Sequence, residues 1–210
     1  MDYIRKNLIS CPSLDKTKIN GSVEDLMSNF FQHRIFSDEA KELVYKEAED
    51  AFRNKLDDAN GITGIWQGEF WGKWIISAVQ VCEYTGDRDL KEFIRKGVHN
   101  LLSMQEEDGY LGTYKNRLHV YPVNPVKLGE LPPDMQWCRW NWNIWCRKYT
   151  LWGLLETYRL LGEKEILDSA VRFTNQLIDM LHENSIRIAD TGMFVGLPSY
   201  SIMKPVLILY

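Results

Sequence analysis

Trp66-Gln67-Gly68-Glu69-Phe70-Trp71-Gly72-Lys73-Trp74 sets three tryptophans, a phenylalanine, a carboxylate and an ammonium within nine residues. It follows the turn-like run Asp57-Asp58-Ala59-Asn60-Gly61 and opens an amphipathic pattern, so it reads as a loop entering a helix. Trp71, Trp74, Ile75, Ala78, Val81 and Cys82 fall on one stripe of that helix, and Thr85-Gly86-Asp87 ends it with glycine at the C′ position. Flat aromatic faces with little rotamer entropy to lose, interleaved with a Glu and a Lys that can orient hydroxyls, suit a sugar ring. The same residues would also serve as an aromatic plug at a helix start.

Helical periodicity extends to both sides. Residues 1–21 carry Pro12 and Gly21 without a clear period and read as a lead-in segment, and 22–210 read as a single all-α domain. Val23, Leu26, Met27, Phe30 and Phe31 mark one face of a helix over 22–33, and Ser37 caps a second one running to about Leu56. Leu90, Phe93, Ile94, Val98, Leu101 and Leu102 form a nearly ideal apolar face opposite Lys91, Glu92, Arg95 and Lys96. After Asp108-Gly109-Tyr110 comes a long connection to Asn141 with Pro122, Pro125, Pro132 and Pro133. Connections of that length in a compact domain are usually functional or mobile. Trp142, Trp145, Tyr149 and Trp152 form an aromatic ladder on the next helix, to Leu161, for which a core stripe is the commoner explanation. A further helix covers about Lys164–Leu181, with Ile166, Leu167, Ala170, Phe173, Thr174, Leu177, Ile178 and Leu181 inward. A last apolar pattern opens before Val206-Leu207-Ile208-Leu209-Tyr210.

Gly86 and Gly162 stand 76 residues apart, each between an apolar helix and an acidic residue that leads into Leu90 or Ile166. In that register Leu101 pairs with Leu177 and Leu102 with Ile178. Repeated antiparallel helix hairpins cannot each bury an apolar face alone, so they stack as a solenoid or close into a ring. The short Gly-acid turns then share one rim, and the aromatic stretch, the Asp108 loop and the start of the ladder helix share the other. Three chemically rich loops on one rim are a candidate site.

Composition narrows the function classes. The 210 residues are 45% hydrophobic and 26% charged, an ordinary globular balance. A formal charge of −4 favours neither nucleic acid nor an anionic membrane, and no run approaches the ~20 apolar residues of a membrane span. Charges in the first ten residues interrupt any secretory apolar centre, so the expected location is the cytoplasm. Cys11, Cys82, Cys138 and Cys146 have no Cys-x-x-Cys spacing, and His33, His99, His119 and His182 no i, i+4 pair, so no metal site is expected here.

Glu69-Phe70-Trp71-Gly72-Lys73-Trp74, Thr85-Gly86-Asp87, Gln105 with Asp108 to Tyr114, Trp142 to Tyr149 and Pro205 to Tyr210 together resemble the N-terminal part of glycoside hydrolase family 127. That family is typified by bacterial beta-L-arabinofuranosidases. The resemblance covers about residues 60–210 and rests on the order and spacing of its motifs. It implies an (α/α)6 barrel that binds sugar at the long-loop rim. It also implies a cysteine nucleophile, a glutamate acid/base and a zinc ion held by glutamate and cysteines, all downstream of these positions, so no cofactor is expected in this chain. Two sugar-contacting histidines of the better-studied branch align with Trp142 and Tyr149, which implies a different pocket.

Roughly seven helical stretches can be counted, about half of what a closed ring needs, so the chain reads as a partial (α/α)6 barrel, the front of a catalytic domain. Its uncovered apolar face would favour self-association. The expected partner is carbohydrate, with Trp66, Glu69, Phe70, Trp71, Lys73, Asp108, Tyr110, Trp142 and Tyr149 as substrate contacts and no catalytic residue assigned. Glu69 and Asp108 are the acids flanked by aromatics on this rim, and an inverting pair would need ~6.5–9.5 Å between carboxylates. Each also has a structural alternative: Glu69 paired with Lys73, Asp108 capping its own loop. Two other classes remain open. One is a sugar-binding or helical-repeat interaction module without catalysis; the other is a sugar epimerase or isomerase, for which His119 is the one well-placed histidine.

Overall fold

The structure is a computed structural model that describes residues 16–55, 66–121, 141–192 and 194–210. Most of the lead-in, the 57–61 run, the four prolines of the long connection, Cys11 and Cys138 lie outside the described residues. Every regular element among those described is helical, and none of these helices is long and apolar enough to cross a membrane. α1 (Ser22–Phe30) runs into a π-helical turn over Phe31–Ile35. The Ser37 hydroxyl accepts from the Ala40 amide at 3.1 Å and starts a continuous helical run of α2 (Asp38–Ala40), a π-helical stretch (Lys41–Lys46) and α3 (Glu47–Asn54).

Two hairpins follow: α4 (Gln67–Thr85) with α5 (Arg88–Leu102), and α6 (Asn143–Leu161) with α7 (Lys164–Glu183). Short helices α8 (Leu197–Tyr200) and α9 (Met203–Leu209) follow. The hairpin turns are built alike at the glycine and differently at the acid. Gly86 and Gly162 sit in the left-handed region at φ 67° and 72°, and their amides donate to the carbonyls of Cys82 and Tyr158. Asp87 then caps α5, accepting from the Leu90 amide at 2.7 Å. Glu163 is a methylene longer and does not cap α7. It reaches across to α5, accepting from Arg95 at 2.8 Å and meeting His99 Nε2 at 2.7 Å, which ties the outer helices of the two hairpins together.

The inner helices α4 and α6 run parallel and in close contact. Gly68 faces Cys146, Gly72 faces the Tyr149 backbone, and Ile75 faces Gly153. A Cβ on Gly72 would stand 2.3 Å from the Tyr149 carbonyl oxygen, so the backbones approach to a distance that a side chain at 72 would forbid. Around this seam Phe52, Trp71, Ile75, Leu90, Ile94, Leu101, Leu151, Leu154 and Phe173 form the main core. A smaller cluster of Val120, Ile144, Leu177, Met180, Ile186 and Ile202 lies under the opposite end of α7.

One apolar stripe stays uncovered, and one burial expectation is corrected. No residue of α1 is buried, and Val23, Leu26 and Phe30 face outward, because no described element lies over that stripe. Ile178 on α7 is also exposed, while Leu177 beside it enters the smaller core.

Candidate functional site

The N-terminal ends of α4 and α6 meet on the long-loop side. Asn141 fixes the entry to α6: its Oδ1 accepts from the Asn143 amide at 3.0 Å and its Nδ2 donates to the His119 carbonyl at 2.8 Å. Asn143 Nδ2 donates to the same carbonyl at 3.1 Å, so His119 contributes its backbone to this entry. From there the aromatic ladder descends one side of α6. Ring centres are 5.7 Å apart from Trp142 to Trp145, 5.3 Å from Trp145 to Tyr149 and 6.3 Å from Tyr149 to Trp152, with Trp66 joining Trp142 at 6.2 Å. All five rings are half-buried, and those of Tyr149 and Trp152 pack against the main core, so the ladder forms a surface column.

Ammonium groups lie along the column. Lys148 Nζ is 3.6 Å from the Trp145 ring centre and 3.9 Å from that of Tyr149, with only 7% of the residue exposed. Lys73 Nζ approaches the Tyr149 ring at 5.1 Å, and Lys204 from α9 sits 3.6 Å over Trp152. Glu69 holds Lys73 at 2.5 Å. Burial opposes the charge on Lys73, but the hydrogen bond and charge of Glu69 outweigh it and raise its pKa. Lys148 is pushed down to about 8, first by burial and then by repulsion from Lys73 and Lys204, against the attraction of Glu69. At the lower end Trp152 Nε1 donates to Glu156 at 3.0 Å, and Glu156 pairs with Arg159.

The expected contacts therefore divide. Trp66, Glu69, Phe70, Lys73, Trp142 and Tyr149 lie on or beside the column, and Phe70 is 41% exposed. Trp71 and Tyr110 do not face a ligand, because both are fully buried. Trp71 packs edge-on against Phe52 beneath the α4–α6 seam, because the ~100° step per residue turns it away from the side that carries Phe70 and Lys73. Tyr110 is sealed between the guanidinium groups of Arg117 and Arg147, at 4.8 and 4.6 Å, and its hydroxyl donates to the Tyr114 carbonyl while accepting the Tyr114 amide. Asp108 stabilises its own loop, accepting from the Tyr110 amide at 3.0 Å and pairing with Arg117. Trp145, Lys148, Trp152 and Lys204 join the column without having been expected as contacts. The ladder spacing already placed the two tryptophans there; Lys148 follows from being three residues after Trp145, on the same face.

The zinc implied by the family does not fit the described residues. Cys82 and Cys146 are buried apart from each other, with burial pushing both thiols up, and no three His, Cys, Asp or Glu side chains gather among the described residues.

The described residues form an all-helical scaffold with an aromatic and cationic face along α6. The family model described as beta-L-arabinofuranosidase, GH127 catalytic domain, matches residues 17–192, so the chain belongs to that glycoside hydrolase family. A comparison with curated proteins finds no match.

Proposed function

We propose that this chain binds a glycan along the α6 column and the start of α4, and does not cleave it unaided. The half-open ladder carries this reading: stacked rings with oriented charges at their edges take the apolar faces and hydroxyls of sugars. Family membership supports it. The hairpins, repeating every 76 residues with parallel inner helices, support one arc of an (α/α)6 ring, with the column on its inner face. Cleavage needs a free nucleophile or a pair of carboxylates across the sugar. The two carboxylates on the column are engaged, Glu69 by Lys73 and Glu156 by Trp152 and Arg159. No residue here inherits the family's nucleophile or acid/base.

Tryptophan fluorescence during titration with plant-type oligosaccharides tests this. Saturable quenching that is lost in Trp145→Ala is expected, with no release of nitrophenol from a nitrophenyl beta-L-arabinofuranoside. Steady turnover that Glu69→Gln abolishes would overturn the non-cleaving part, and absence of any sugar binding would overturn the whole.

A further inference from the structure

We propose that the sugar bound at this column is anionic, its carboxylate or sulfate taken by the ammonium groups of Lys148, Lys204 and Lys73. This rests on the column being a glycan site. Three ammonium groups lie over consecutive rings of one ladder, Lys73 and Lys148 both on Tyr149 and Lys204 on its stacking partner Trp152. One of them, Lys73, is matched by Glu69. Among the described residues no carboxylate pairs with Lys148 or Lys204, and neither ammonium has a hydrogen-bond acceptor; each has aromatic faces alone. The chain as a whole carries −4, so this local excess of positive charge does not follow from a basic composition.

Such an arrangement is costly unless something satisfies it. Lys148 is 7% exposed as a residue, so its ammonium exchanges hydration for ring faces and the more distant charge of Glu69, and two further cations within electrostatic reach add repulsion. A leucine or methionine at position 148 would cover the same rings at no electrostatic cost, so packing does not explain the lysine. Trp145 adds an indole N–H that is buried without an acceptor among the described residues. Donors without acceptors, converging beside flat rings, suit a ligand that brings a strong acceptor attached to an apolar ring face. A uronate or a sulfated sugar has that chemistry, whereas a neutral furanoside offers only hydroxyls.

The test titrates the full 210-residue chain with trigalacturonate, neutral galactotriose, 6-sulfated galactotriose and a short single-stranded oligonucleotide, by calorimetry at low and high salt. At least tenfold tighter binding of an acidic trisaccharide than of the neutral one is expected, and the tighter of the two acidic probes identifies carboxylate or sulfate as the natural group. High salt should erase that preference. Lys148→Met should erase it too, and Lys204→Met provides the same test from another helix should the first variant fold poorly. Equal binding of neutral and acidic sugars would overturn the anionic inference and leave glycan binding standing. No sugar binding at all would overturn both, and tighter binding of the oligonucleotide than of any sugar would assign the column to another class of ligand.

Discussion

Helix α6 has two very different sides. The side against α4 presents Cys146, Thr150, Gly153 and Thr157, small residues whose hydroxyls turn back to their own helix: Thr150 donates to the Cys146 carbonyl at 3.0 Å and Thr157 to that of Gly153 at 2.5 Å. No polar demand is left over, and the backbones pack at contact distance. The ladder side presents the largest side chains in the alphabet, together with an ammonium and an indole N–H that have no acceptor among the described residues. Within one 19-residue helix, then, one face is optimised for packing and the other keeps polar capacity in reserve. Local rules broken without a structural gain mark the functional side.

The largest effect should come from breaking the sealed side. In Gly72→Ala the new methyl group would meet the Tyr149 carbonyl carbon and oxygen at 2.4 and 2.3 Å, backbone atoms that cannot rotate away. The parallel helices must separate along the seam, at a cost of roughly 3 kcal/mol. Thermal unfolding should show a fall in Tm of roughly 6–12 °C. A variant as stable as the parent would mean that α4 and α6 do not touch at Gly72.

The open side should respond in the opposite direction. Lys148→Met keeps the apolar stem over Trp145 and Tyr149 and removes a charge that has no hydrogen-bond acceptor among the described residues and is opposed by burial, so stability near neutral pH should rise by about 1 kcal/mol. The pH dependence fixes the sign. Below about pH 8 folded and unfolded chains both hold the proton, and the folded state bears the full penalty. Between about pH 8 and an unfolded lysine value of about 10.4, the folded chain has released that proton and the unfolded chain has not, so stability contributed by this group rises with pH. Denaturant midpoints measured from pH 7 to 10 should converge between parent and variant. A gap that widened instead would mean that the ammonium is stabilised where it sits.

Much of the fold was legible because its signals are local. Glycine followed by an acid, at Gly86-Asp87 and Gly162-Glu163, marks each hairpin turn, and left-handed C-caps need no tertiary information. What distinguishes the two acids is tertiary: Asp87 caps its own helix, and Glu163 crosses to partners 68 and 64 residues away. The π-helical stretches at Phe31–Ile35 and Lys41–Lys46 shift the helix register without changing the apolar count, so periodicity passes over them. Within the site, periodicity put the ladder rings on one face and could not tell whether that face was sealed. Trp71 and Trp145 both stand in aromatic-rich segments; Gly153, which lies against the Trp71 ring from α6, helps bury one and not the other. Lys148 carries no such signal, because a helical lysine is normally solvated and its burial depends on the rings three residues before and one after it.

The smallest effect separates loop from column. Asp108 has the sequence context of a sugar contact, an acid beside Gly109 and Tyr110 on the same rim. In the structure its two oxygens are spent within its own segment, on the Tyr110 amide and on Arg117, and the side chain is 44% exposed. A partner so exposed is screened by water, and the guanidinium keeps Glu106 when Asp108 is gone. Asp108→Ala should therefore cost about 0.5–1 kcal/mol through the lost turn bond, lowering Tm by roughly 1–4 °C. Its affinity for any sugar that quenches the column tryptophans should stay within about twofold of the parent, because the residue touches none of the rings of α6. A tenfold loss of affinity with the fold intact would instead place the Asp108 loop over the column in the bound state, and would extend the site from one helix face to the rim that joins both hairpins.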